Sequence, residues 1–124
     1  MKRAIGIDLG GTSIKGGLID EEGNILKKAK KDTVTARGKA QVLERISQVI
    51  DMLMDDNLIG IAIGSPGFID SDEGKVLKVG GNIKDWAGTK IKAELEKKHP
   101  DIPIFVENDA NVAALGEMWK GGGL

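Results

Sequence analysis

The chain has 124 residues, enough for one domain with its own hydrophobic core. Its 18 Lys and Arg face 19 Asp and Glu, a net charge of −1, so no bulk charge recruits nucleic acid or an acidic membrane surface. With no cysteine there is neither a disulfide framework nor a thiolate zinc site within the chain, and with no signal-peptide pattern or membrane-length apolar run the expectation is a soluble cytoplasmic protein.

Along the chain, Ala4-Ile5-Gly6-Ile7 is a short apolar strand ending at Asp8, and Gly10-Gly11 forces a turn. Ile14 to Ile19 resumes an extended pattern. Glu21-Glu22-Gly23-Asn24 reads as a hairpin turn, and Ile25 to Val34 as a third strand. That strand is polar, and its Lys27, Lys28, Lys30 and Lys31 suit a solvated sheet edge. Val42, Ile46, Val49, Ile50 and Leu53 then recur at helical spacing between Lys39 and Met54. The run Leu58-Ile59-Gly60-Ile61-Ala62-Ile63 predicts a buried central strand, broken by the turn Gly64-Ser65-Pro66-Gly67.

Residues 68 to 88 read as irregular, with turns at Asp70 to Gly74 and at Gly80-Gly81. Ile91 and Leu95 mark a short amphipathic helix that His99-Pro100 ends. His99, the single histidine, falls in what reads as an exposed loop and is assigned no role. Ile102 to Val106 is a last strand. It runs into Glu107-Asn108-Asp109-Ala110-Asn111 and then a helical pattern through Trp119, which Gly121-Gly122-Gly123 stops. The order is a three-strand antiparallel meander followed by alternating helix and strand. It predicts an α/β fold: a mixed five-stranded sheet, its last two strands parallel to the first, with helices packed on it.

Four stretches carry candidate chemistry. Asp8-Leu9-Gly10-Gly11-Thr12 places two glycines after a strand, where backbone N–H groups can approach an anion and Thr12 can donate its hydroxyl. Asp8 is placed to hold a hydrated Mg²⁺, and a glycine hairpin with an incidental Asp accounts for the same residues. Lys15 alternates with Ile14 on a strand and reads as solvated. Gly64-Ser65-Pro66-Gly67 ends a buried strand at the sheet edge where ligands of open α/β sheets lie, though a plain Pro-Gly turn is the simpler account. Asn82 sits in a loop suited to a sugar hydroxyl, with Trp86 packing that loop to the core. In the fourth stretch, Asp109 stands at a strand-to-helix junction. There it can act as general base toward a substrate hydroxyl, or it or Asn108 can cap the helix.

Taken together, Asp8-Leu9-Gly10-Gly11-Thr12, Gly64-Ser65-Pro66-Gly67-Phe68-Ile69-Asp70, Asn82-Ile83-Lys84-Asp85-Trp86 and Glu107-Asn108-Asp109-Ala110-Asn111, with Ala113-Ala114-Leu115-Gly116-Glu117 behind them, resemble the ROK family. That family comprises bacterial sugar kinases, glucokinases among them, and sugar-responsive repressors, within the actin-like ATPase superfamily and its ribonuclease H-like fold. The resemblance spans essentially the whole chain. It implies a first phosphate-binding loop at Asp8, Gly10, Gly11 and Thr12, with ATP as cofactor and Mg²⁺ held near Asp8 through water. It implies hexose contacts from Gly67, Asn82, Asn108 and Asp109, with Asp109 as the catalytic base.

The family's kinases carry a second domain with an E-x-G-H motif, a Cys-rich zinc motif, the second phosphate loop and the adenosine pocket, none of which occurs in residues 1–124. The resemblance therefore implies the N-terminal domain of an ATP-dependent, glucokinase-like hexokinase, inactive by itself, with a hexose as partner. Two other readings stand beside it. One is the sugar-sensing core of a ROK repressor, disfavoured because Met1 begins at the first strand and leaves no room for a DNA-binding helix-turn-helix. The other is a non-catalytic half-domain that self-associates through a face the second domain normally covers.

Overall fold

The computed structural model describes residues 2–10, 12–33, 38–65, 68–70, 73–78, 86 and 88–107. Strands β1 (Arg3–Leu9), β2 (Ser13–Asp20) and β3 (Ile25–Asp32) form the antiparallel meander. Helix α1 (Lys39–Met52) leads to β4 (Leu58–Gly64), and a ribbon follows of β5 (Phe68–Asp70) and β6 (Lys75–Lys78). Helix α2 (Ile91–Lys98) and β7 (Ile104–Glu107) complete the order. Five strands share one sheet in the order β3-β2-β1-β4-β7, with β4 parallel to both β1 and β7. The mixed five-stranded sheet and its parallel pair are as the sequence predicts.

Most of the described core lies on one face of this sheet. Side chains alternate along a strand, and the register brings Ile5 level with Leu18 and Ile61, and Ile7 level with Gly16 and Ile63. Ile104 and Val106 extend the same layer on β7. Against it α1 lays Val42, Ile46, Val49, Ile50 and Leu53, all five fully buried and all on the stripe predicted from spacing. Each such side chain contributes about 1.5–3 kcal/mol on leaving water, before the cost of ordering the chain. Gly16 lets the helix come this close: a Cβ there would lie 2.8 Å from Ile7, Val49 and Leu53. The opposite face carries small residues at its centre, Ala4, Gly6, Gly60 and Ala62, where β1 and β4 pair.

Two expectations are corrected. The stretch read as irregular contains the β5–β6 ribbon, antiparallel, with a turn at Glu73-Gly74. The ribbon is held against the body at fully buried Val76, whose N–H donates to Thr89 O at 2.9 Å. Strands of three and four residues are too short to show a period, and only the turn between them was legible. His99 is not exposed. It retains 6% of its surface, caps α2 by donating its N–H to Leu95 O, and places Nε2 3.0 Å from Ser47 Oγ on α1. Its partner is 52 residues away in sequence, so nothing local marked it as a core residue. Smaller shifts occur at the ends of elements: α1 stops at Met52, the described part of the third strand at Asp32, and β7 begins at Ile104.

Candidate functional site

The carboxyl ends of the parallel strands set the site. Asp8 pairs with Gly64, and Gly64 with Glu107, so one row crosses β1, β4 and β7 at the same level. Continued the other way, the row runs from Asp8 to Lys15 on β2 and Lys30 on β3. With strands about 4.8 Å apart, the backbones of Asp8 and Glu107 lie about 10 Å from each other. Three of the candidate stretches therefore leave the sheet at one edge. Asn108 and Asp109 follow Glu107 directly in sequence but lie outside the described residues, as do Gly11, Gly67, Asn82 and the final helix.

The β1–β2 connection is the best-defined part of the site. Leu9 still pairs with Ile14, leaving a turn of only four residues. Gly10 N–H donates to Ser13 O at 2.9 Å, and a Cβ on Gly10 would stand 3.0 Å from that same oxygen. No side chain fits there without moving the backbone. Asp8 and Thr12 are both exposed, one on each side of the turn. Asp8 stands on the sheet face opposite α1, because Ile7 and Leu9 occupy the helix side.

A residue that the sequence reading passed over holds this turn in shape. Thr33, fully buried just past β3, donates Oγ1–H to Gly10 O at 2.9 Å and its N–H to Thr12 O at 3.0 Å. It thus clamps the turn on either side of Gly11. The preceding carbonyl, Asp32 O, accepts from Arg45 Nη1 of α1 at 3.1 Å, which ties the clamp to the helix. A lone Thr after a lysine-rich strand carries no sequence signal, and its partner is 23 residues upstream.

The second stretch also gains a partner. Ser65, at the end of β4, accepts a hydrogen bond from Trp86 Nε1 at 2.8 Å, and both side chains are buried. Trp86 packs into the core as expected, and its hydrogen bond ties it to the end of β4.

As a setting for cofactors, the edge offers one exposed carboxylate, a turn stripped of side chains and an exposed hydroxyl. Among the described residues no group of three or more His, Cys, Asp or Glu could hold a metal. One exposed carboxylate suits Mg²⁺, which keeps most of its waters and binds through one or two carboxylates and phosphate oxygens. The two described donors, the Asp8 carboxylate and the Thr12 hydroxyl, are of the type that a magnesium nucleotide takes.

The sequence profile of the ROK family matches residues 4–123. The chain belongs to the ROK family. The glucokinase of Thermotoga maritima is 41% identical over 122 residues, which is 98% of this chain and 38% of that protein. A crystal structure of a ROK family glucokinase from Streptomyces griseus, in complex with glucose and AMPPNP, superposes with a TM-score of 0.79 at 34% identity. That superposition covers 98% of this chain and 38% of the other. A ROK family transcriptional regulator, a homologue of the E. coli MLC protein, shares the fold with a TM-score of 0.74 at 25% identity, covering 98% of this chain and 31% of the regulator. The ROK chain thus spans well under half the length of these relatives, and its neighbours include kinases of the actin-like ATPase fold. Among the described residues no helix is long and apolar enough to cross a membrane.

Proposed function

We propose that residues 1–124 are the N-terminal domain of an ATP-dependent sugar kinase that transfers the γ-phosphate of ATP to a hexose hydroxyl, glucose-like in shape. The observation that carries the reading is the common level of Asp8, Gly64 and Glu107 across three strands. A glycine turn suited to phosphate and the strand end leading to Asp109 open on the same edge. Similarity to glucokinases over nearly the whole chain supports it.

In this reading Asp8, Gly10, Gly11 and Thr12 form the phosphate loop, with Asp8 facing Mg²⁺ through water. Gly67, Asn82 and Asn108 hold the sugar. Asp109 accepts the proton of the attacking hydroxyl and fixes its direction. ATP supplies the phosphoryl group when bound, and the protein's contribution is positioning and charge compensation. The rest of the nucleotide pocket belongs to a second domain, so the 124-residue chain alone turns over no sugar. In the two-domain form, Asp109→Asn removes the proton acceptor while keeping the side chain's size. Hexose-dependent ADP release is expected to fall by about two orders of magnitude or more, with sugar affinity changed little. Turnover that survives the substitution refutes Asp109 as base. The repressor reading shares the fold, and the phosphate-suited turn at Asp8, Gly10 and Thr12 favours the kinase.

A further inference from the structure

No described strand pairs with the outer side of β3. Along such an edge alternate N–H and C=O groups point outward with no strand to receive them. The register shift against β2 falls between Leu18 and Ile19, so the bulge lies at the start of β3 and Lys27 to Asp32 run regular. Neither Pro nor Gly interrupts the strand, and four of its eight residues are lysines in a chain of net charge −1. Side chains alternate, so Lys28 and Lys30 stand on the face away from α1, and Lys27 and Lys31 on the face toward it. None of the four forms an ion pair with another described residue. Lys27 acts on Asp55 only through space, as the smallest influence on that carboxylate. Ahead of the lysines the strand opens on two exposed apolar residues, Ile25 at 56% and Leu26 at 45%.

Lysines on an edge strand commonly guard it against pairing with a second sheet. Protection alone leaves Ile25 and Leu26 unexplained, since exposed apolar residues on an edge invite the pairing that the lysines deter. It also leaves Lys15, which stands across from Lys30 on the interior strand β2 and adds a third cation to that face. A second copy of this chain is a poor occupant of the edge. Laid antiparallel about the centre of β3 it sets Lys27 opposite Lys30, and laid parallel in register it sets each lysine against itself. Like charges directly opposed destabilise a strand pair.

We propose that β3 accepts an acidic, extended segment of a partner protein, added beside it as a further antiparallel strand. Main-chain hydrogen bonds hold such a strand, and its side chains on the two faces make it specific. Because cations stand on both faces of β3, the segment carries consecutive Asp or Glu rather than alternating ones. Antiparallel addition places these acidic residues first and apolar residues last, against Leu26 and Ile25. A hollow of about 280 Å³ lined by Lys15, Gly16, Lys28, Ala29 and Lys30 receives one of the carboxylates. The inference goes beyond the kinase reading and stands without it, since it concerns a sheet edge and involves no turnover.

The probe is the blocked peptide Thr-Glu-Glu-Thr-Glu-Glu-Val-Val, titrated at low ionic strength into the ¹⁵N-labelled chain. Laid antiparallel, it sets Glu against Lys31, Lys30, Lys28 and Lys27, and Val against Leu26 and Ile25. Binding is expected to slow hydrogen exchange at alternate amides of β3, which a purely ionic contact leaves unprotected. Two further peptides carry N-methyl groups on alternate residues, one at the odd positions and one at the even. A strand turns only one of these sets of N–H groups toward β3. One methylated peptide is therefore expected to bind about ten-fold more weakly or worse, and the other as the parent peptide does. Replacing every Glu of the peptide by Gln should weaken binding roughly ten-fold or more, as should the chain variant Lys27→Gln, Lys28→Gln, Lys30→Gln, Lys31→Gln. That variant loses a repulsion, so it should melt no lower than the parent. The control Lys39→Gln, Lys90→Gln, Lys97→Gln, elsewhere on the surface, should bind as the parent chain does. The proposal is overturned by no binding, by equal effects of the two methylations, by a Gln peptide that binds as well, or by equal affinities of the two lysine variants. A free chain that dimerises in sedimentation with the same β3 amides protected makes a second copy the occupant and also overturns it.

Discussion

Thr33 supplies the clearest case of a single side chain fixing a functional loop. Its hydroxyl and its backbone N–H reach the carbonyls on both sides of Gly11, so two backbone groups that would otherwise wander are held by one buried residue. Thr33→Val keeps the shape and removes the hydroxyl. It is expected to lower stability by about 1–2 kcal/mol, because the Gly10 carbonyl loses its donor. Amide exchange at Gly10 should quicken in the same variant, and Thr33→Ser should restore both properties. Denaturant unfolding and hydrogen exchange check this, and a Val variant with unchanged exchange at Gly10 refutes the clamp. Trp86 and Ser65 form a comparable tie, one hydrogen bond at the end of β4.

At the scale of elements, the contact of α1 with β2 rests on an absent side chain. Gly16→Ala puts a methyl group into space already taken by Ile7, Val49 and Leu53, so the helix must lift or the side chains leave their rotamers. The expected cost is about 1–3 kcal/mol, read as a lower urea midpoint with unchanged slope. Gly17→Ala, whose methyl would point away from α1 and meet no described atom nearer than 3.7 Å, should cost less, which separates crowding from backbone effects. The five-residue stripe of α1, the lysine-rich edge β3 and the uniformly apolar β4 were legible in sequence because each repeats a burial pattern over seven residues or more. The β5–β6 ribbon was not, since its strands are shorter than any period that could declare them. The same limit applies at the candidate site. Asp8, Gly10 and Thr12 fall within one five-residue string, so the candidate turn could be picked out directly. Thr33 and His99 act through partners 23 and 52 positions away, and only the folded chain brings those together.

For the molecule as a whole, the buried His99 links folding to pH. Burial holds its pKa below the ordinary 6.5, with Lys98 acting the same way and Asp51 opposing. The unfolded chain therefore takes up a proton before the folded one does as pH falls. This contribution to stability is full above about pH 6.5 and is lost as pH drops from there to the folded pKa. The urea midpoint should be lower near pH 5.5 than near pH 7.5, and His99→Gln should shrink that difference. A midpoint difference that His99→Gln leaves intact refutes the linkage.

A second loss begins at much lower pH. Asp20 is held below its usual range by the Asn24 backbone N–H and side chain, and Asp55 by the Asn57 N–H and then Arg3. Their stabilisation is present above about pH 3.8 and disappears as pH falls through their lowered values. Asp20 also organises the hairpin turn into β3, accepting from the N–H groups of Glu22 and Asn24, and Thr33 stands at that strand's far end. Eight residues of extended chain, about 26 Å, separate the two. Because β3 is an edge strand, it opens more readily than the strands inside it. When it peels away, Thr33 leaves with it, so the β1–β2 turn keeps its shape only while this edge strand stays zipped. The shape of that turn and the fraying of a distant hairpin are then two readings of one local equilibrium.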